Sequence, residues 1–122
     1  MTIKRFEDIE AWQLARQLTK EVYQETRQPP MHRDWRYGSQ IQSAAVSMMS
    51  NIAEGFLAQT NKEFIRFLTF SIRSSAEVQS LLYVALDNEY INQKRFDELY
   101  EKTKHAAQKA TNFKKYLEGL GE

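Results

Sequence analysis

The sequence contains no cysteine, and it has only four glycines and two prolines among its 122 residues. The absence of cysteine excludes disulfides, thiolate metal sites and cysteine nucleophiles, and it fits a reducing compartment. So little glycine and proline leaves few residues for turns, which favours a small number of long helices. A chain of this length forms one hydrophobic core, and we predict a single domain over residues 1–122.

Long apolar runs are also missing. No stretch approaches the roughly eighteen apolar residues that a membrane span needs, and the segment Met1–Trp12 is charged from the start, unlike a signal peptide. We therefore expect a cytoplasmic protein with no membrane partner. The formal net charge of +1 argues against a strong general affinity for nucleic acid, because that affinity scales with the number of phosphates neutralised.

Hydrophobic residues recur at spacings of three and four along four segments, and this spacing predicts four amphipathic helices. The predicted helices cover about residues 8–26, 35–56, 61–87 and 93–118. Long helices with short links between them are typical of an all-α, antiparallel up-down-up-down four-helix bundle, which is the fold we predict.

Short polar residues that accept hydrogen bonds from free amide groups precede the predicted helices, and we interpret four of them as N-caps. These are Asp8, Asp34, Thr60 and Asn92. Thr60 and Glu63 have the spacing of a capping box, which fixes the start of the third helix. Gly55 stands near the predicted end of the second helix, where a left-handed residue is commonly glycine.

The second predicted helix is unusual because Tyr37–Ala53 carries no charge, although 27% of the chain is charged. One face of this helix is apolar, and a second face is small, polar and neutral. We predict that another subunit covers this second face and that Asn51 hydrogen-bonds across helices or across a subunit boundary. The candidate oligomer-interface residues are Gln42, Ser43, Ser47, Ser50 and Asn51.

Glu54 and Glu77 lie on the two middle helices, where paired carboxylates hold dinuclear metal sites in some bundles. Such sites also use Glu-x-x-His motifs, and neither His32 nor His105 belongs to one. We therefore predict no metal and no cofactor. The carboxylates instead take structural roles in caps, ion pairs or the subunit interface, with two arginines as partners. The predicted structural polar residues are Glu54, Glu77, Arg66 and Arg73.

The last predicted helix has no acid between Lys102 and Leu117. Such a run is either a solvated face or a phosphate-binding face, and cations near a helix C-terminus are favourable in both cases. Repeated by symmetry in an oligomer, the run would form a basic ring for RNA or DNA. The candidate nucleic-acid contacts are Lys102, Lys104, Lys109, Lys114 and Lys115.

Three motifs carry a resemblance to a known family: AAVS at Ala44–Ser47, SNIAEG at Ser50–Gly55 and RFL at Arg66–Leu68. They resemble the small four-helix-bundle proteins encoded in intervening sequences of bacterial large-subunit ribosomal RNA genes. The resemblance implies a non-enzymatic homopentamer of uncertain cellular role. That family typically has a basic pair just before AAVS, whereas this chain has Gln42 and Ser43, so its central helix is less charged.

A related group comprises the accessory variability determinants of diversity-generating retroelements, for which the resemblance implies a basic barrel that binds nucleic acid and a reverse transcriptase. No phosphate-binding glycine loop, nucleophile elbow or zinc-ligand spacing occurs in the sequence. We predict an oligomeric interaction or scaffold protein rather than an enzyme. The alternative is a nucleic-acid-binding accessory protein that uses the last helix, and a carboxylate metal enzyme is a third, weaker reading.

Overall fold

A computed structural model describes residues 3–121, and within this range all regular structure is helical. The α-helices are α1 (Glu10–Thr26), α2 (Trp35–Phe56), α3 (Asn61–Asp87) and α4 (Gln93–Leu120). Short 3-10 turns at Phe6–Asp8 and Met31–Arg33 precede α1 and α2. The predicted all-α fold is confirmed, and each α-helix lies close to its predicted range.

The four helices close into a bundle. Each helix packs against the next one along the chain, and α4 packs back against α1. Short connections between long helices place consecutive helices antiparallel, which gives the predicted up-down-up-down order. Within residues 3–121, no helix is both long and apolar enough to cross a membrane.

The buried core combines large aliphatic side chains with a few hydroxyl groups. Leu18, Leu82 and Leu99 represent one apolar cluster, and a second cluster at the other end of the bundle contains Phe64 and Leu68. The buried polar side chains include hydroxyls that bond to backbone carbonyls, namely Thr19, Ser71, Ser75 and Thr103. These bonds offset the cost of removing the hydroxyls from water.

Three of the four predicted caps are confirmed. The side chains of Asp34, Thr60 and Asn92 accept hydrogen bonds from backbone amides at the starts of α2, α3 and α4. The prediction for Asp8 is wrong: this residue lies in the first 3-10 turn, and Ile9 occupies the cap position of α1 without a side-chain bond. Ile9 is buried in the core, so apolar packing rather than a cap holds this end of α1.

The prediction for Gly55 is also wrong. α2 continues through Phe56, and the C-cap residue Leu57 that follows it has right-handed backbone angles (φ −85°, ψ −3°). A Cβ atom at Gly55 would lie 2.7 Å from Cδ1 of Phe64 and 2.9 Å from Cβ of Phe67. Glycine is required here because α2 and α3 approach closely, and not because the chain turns.

Candidate interaction surfaces

The side of α2 that faces away from the core carries a continuous row of uncharged residues, which we call the α2 stripe. Its members recur at spacings of four and three, so they share one helical face. They are Ser39, Ser43, Val46, Ser50, Ala53 and Leu57. Val46 is 38% exposed and Leu57 is 72% exposed. The stripe thus presents apolar and small neutral groups along most of the helix.

The five predicted interface residues divide between this stripe and the flanks of α2. Ser43 is exposed and Ser50 half-buried, and both belong to the stripe. Gln42 lies toward α1, where its amide donates to the Thr26 hydroxyl at 2.8 Å. Sequence reasoning missed Val46 and Leu57 as members of the same face, although the spacing from Ser43 and Ser50 indicated it.

Ser47 and Asn51 lie on the flank of α2 that faces α3. The Oγ atoms of Ser47 and Ser74 are hydrogen-bonded at 2.8 Å. Asn51 Nδ2 donates to the carbonyl oxygen and the hydroxyl of Ser47 at 2.8 and 2.9 Å. Within the chain, the expected direct bond from Asn51 across helices is therefore wrong: Asn51 bonds to its own helix and reaches α3 only through Ser47.

The predicted structural polar residues are all exposed: Glu54, Glu77, Arg66 and Arg73. Arg66 pairs with Glu63 at 3.2 Å, and its guanidinium carbon lies 5.2 Å from the centroid of the Phe70 ring. Arg66 thus bonds within its own helix rather than to either predicted carboxylate. In residues 3–121, the other three form no ion pair, and no group of three metal-ligating side chains comes together.

The contact between α1 and α4 is charged, and its centre is the buried carboxylate of Glu21, which is 6% exposed. Lys102 Nζ lies 2.6 and 2.8 Å from its two oxygens, and Arg95 Nη1 lies 3.1 Å from Oε1. Burial alone would raise the pKa of Glu21, but hydrogen bonds from Lys102, Gln17 and Arg95 outweigh burial and lower this pKa below its ordinary value of 4.5. Glu21 is therefore ionised at neutral pH.

The lysines predicted to contact nucleic acid do not form one free face. Lys102 is bound to Glu21, and Lys109 Nζ lies 3.4 Å from Glu10 of α1. The remaining three have no ion pair within residues 3–121, and they are Lys104, Lys114 and Lys115. The sequence showed the absence of acids along α4 but not the acids that α1 brings to it.

Comparisons with known proteins identify a matching family and a similar crystal structure. The model of the 23S rRNA-intervening sequence protein family matches residues 7–112. A crystal structure from Bacteroides thetaiotaomicron, described as a protein with unknown function from the S23 ribosomal protein family, is similar with a TM-score of 0.80 and 16% identity. The likeness covers 86% of this chain and 95% of that chain, and at this identity it shows the fold. A search of curated proteins gives no match.

Proposed function

Because this chain belongs to the 23S rRNA-intervening sequence protein family, we propose that it is a non-enzymatic scaffold that assembles with copies of itself into a homopentamer. The observation that carries the proposal is the α2 stripe, whose residues are exposed or half-buried and carry no charge along most of a helix. In this proposal a helix of a second copy covers the stripe.

The chemistry of the stripe suits burial against protein. Removing a charge from water costs several kcal/mol unless it is paired, and the stripe contains no charge. Serine and alanine side chains are short, so another helix backbone approaches closely, while Val46 and Leu57 supply apolar area. The alternating spacing of four and three is also the spacing by which one helix seats against another.

Two perturbed ionisable groups, Glu21 and Asp34, support a non-enzymatic role, because each belongs to a contact that holds the fold. Glu21 joins α1 to α4. Asp34 caps α2 and accepts the Tyr90 hydroxyl at 2.6 Å, and these bonds, chiefly that from Tyr90, lower its pKa. Groups with perturbed pKa values are candidates for catalysis when they converge on a cleft. Glu21 and Asp34 instead hold helices together. The cytoplasmic location and the absence of a cofactor stay predictions.

The alternative, an accessory protein that binds nucleic acid through α4, has weaker support. Two of its five lysines, Lys102 and Lys109, already pair with acids of α1. Transferring them to phosphates would leave the buried carboxylate of Glu21 with Arg95 as its remaining cation, which opposes the transfer.

Native mass spectrometry of the purified protein tests the proposal. We expect a pentamer for the wild type, and monomers for Val46→Lys, since the lysine would have to be buried unpaired in the interface. Gln108→Lys places the same charge on exposed α4 and is the matched control, which should stay pentameric. Ser47 is a poorer target because it holds Ser74 and Asn51.

Circular dichroism of each variant separates dissociation from unfolding. We expect unchanged helical content in every variant, while the unfolding midpoint of the monomeric variant no longer rises with protein concentration. If Val46→Lys unfolds, Ser43→Glu provides a second charge on the same face at an exposed serine. A monomeric wild type, or a pentamer that tolerates both charges, would contradict the proposal.

A further inference from the structure

The charges of α1 are sorted onto two sides of the helix. Its three acids, Glu10, Glu21 and Glu25, all lie against cations of α4. Its two cations, Arg16 and Lys20, are exposed, and within residues 3–121 neither has an ion-pair partner. The acids are therefore neutralised by α4, and the outer side of α1 keeps a positive field.

Arg16 and Lys20 line a groove of about 540 Å³ on this outer side, which we call the α1 groove. Its lining residues are Arg5, Glu7, Trp12, Gln13, Arg16, Gln17 and Lys20. The one acid among them, Glu7, is bound by Arg5 at 2.8 Å. With three cations and one acid, the groove attracts anions, and its volume lies within the range of sites that hold small molecules.

The surroundings do not cancel this charge. On one flank, α2 has no charged residue from Tyr37 to Ala53. On the other flank, the acids of α1 are occupied by α4. The positive face continues beyond the groove to exposed Arg27, which follows α1 and lies about 16 Å along the helix from Arg16 at 1.5 Å per residue.

An aromatic ring stands in the same groove. The half-buried Trp12 indole packs edge-on against Phe6, with ring centroids 5.3 Å apart. The guanidinium carbon of Arg16 lies 5.8 Å from the Trp12 ring centroid. Indole and guanidinium planes are the groups on which unpaired bases stack, and such stacking tolerates any base.

A larger groove, of about 670 Å³, is also lined by aromatic residues but carries the opposite charge. Its aromatic residues include Phe113 and Tyr116, but its ionisable residues are Asp8, Glu10 and Lys109. Lys109 is paired with Glu10, so Asp8 leaves this groove negative. Phosphates are therefore repelled there and attracted to the α1 groove.

We propose that the α1 groove binds single-stranded nucleic acid, with Arg16 and Lys20 at the phosphates and the Trp12 indole stacked on a base. A single strand is specified because the bases of a duplex are already stacked inside it. This inference goes beyond the proposed assembly and does not depend on it, since the α2 stripe lies on a different helix.

Fluorescence anisotropy with a labelled oligouridylate of about twelve nucleotides tests the electrostatic part. At low salt, the double variant Arg16→Gln/Lys20→Gln should bind about tenfold or more weakly than wild type, and its slope of log affinity against log salt should fall by about 1.4. Lys104→Gln/Lys115→Gln removes the same charge from exposed α4 positions and should change the affinity less than about twofold. Equal losses in both variants, or no binding by the wild type, would overturn the proposal.

Tryptophan emission tests the stacking part. Trp35 is 73% exposed, so Trp35→Phe leaves Trp12 as the single tryptophan at little structural cost. Oligouridylate should quench its emission, and an acidic peptide of equal charge should not. Quenching should persist in Val46→Lys, because the groove lies within one chain; its loss there would contradict the independence of groove and assembly. Binding without quenching would overturn the stacking role of Trp12.

Discussion

At the contact between α1 and α4, a buried carboxylate is held by Lys102 and Arg95, whereas at the contact between α2 and α3 buried and half-buried serine hydroxyls form the polar bonds. The charged contact is complete within one chain, because each acid of α1 already has its cation. The neutral contact is complete as well, but the α2 stripe beside it carries only small and apolar groups. The α1–α4 side and the α2 side of the bundle therefore differ in the surroundings that suit them.

The difference follows from what each side would lose on being covered. A charged face loses hydration worth several kcal/mol per ion unless each ion finds a partner. A face of serine, alanine and valine loses far less hydration free energy when it is covered, and it gains apolar contact. This contrast teaches that the α2 side is suited to a second protein chain, while the outer face of α1, with its unpaired cations, is suited to a polyanion.

The largest expected effect comes from enlarging Gly55, which tests how closely the neutral contact is packed. Gly55→Val should lower the free energy of unfolding by about 3 kcal/mol, because a side chain there meets the Phe64 ring and the Cβ of Phe67. Urea denaturation measures this loss. Gly119→Ala is the matched control: a Cβ there meets nothing within 4 Å, so this change should be neutral or stabilise α4 by up to about 1 kcal/mol.

The next largest effect comes from breaking the charged contact. Glu21→Ala should lower the free energy of unfolding by about 2 kcal/mol, less than for a fully buried pair because Lys102 is 47% exposed and regains water. Glu101→Ala, at an exposed neighbour on α4, should stay within about 0.5 kcal/mol of wild type. Equal free energies of unfolding for the two variants would show that the charged contact does not stabilise the fold.

The same contact should make the wild type sensitive to acid. The pKa of Glu21 is lowered by folding, so its contribution is present above its ordinary pKa of 4.5 and is lost as pH falls through the lower folded value. Glu21→Gln lacks this carboxylate, and its stability should fall less steeply below pH 4.5. Urea midpoints measured across this pH range give both slopes, and parallel slopes would contradict the assignment.

A smaller effect should follow from Ser47→Ala, which removes the hydroxyl shared by Ser74 and Asn51 at the neutral contact. The expected loss is about 1 kcal/mol, as for an ordinary hydrogen bond between neutral groups. Ser80→Ala, at an exposed serine of α3, is the control and should be nearly neutral. A loss larger than that of Glu21→Ala would reverse the ranking of the two contacts.

These contacts also mark what the sequence predicted and what it could not. The helices and the caps at Asp34, Thr60 and Asn92 depend on residues within one turn of each other, so local reading found them. Gly55 was misread as a turn residue because its reason, the ring of Phe64, lies on another helix.

The lysines of α4 illustrate the same limit for the candidate site. Lys102 and Glu21 are 81 residues apart in sequence, so their pairing depends on which helices are neighbours and how each is rotated. The sequence predicted which helices are neighbours, but it did not predict how each helix is rotated about its own axis. The uncharged character of α2 was visible in the sequence, whereas the division of its residues between the outer face and the flanks required the structure.

In the proposed assembly the outer face of α2 is covered by another copy, whereas the surface around Ser80 on α3 stays open to solvent. Because the chain has no cysteine, Ser43→Cys and Ser80→Cys each introduce a single thiol, and the rate of alkylation measures its access. We predict that at high protein concentration the thiol at position 43 reacts slowly and the thiol at position 80 reacts fast, and that adding Val46→Lys makes the two rates equal. Equal rates in the protein without Val46→Lys would contradict the claim.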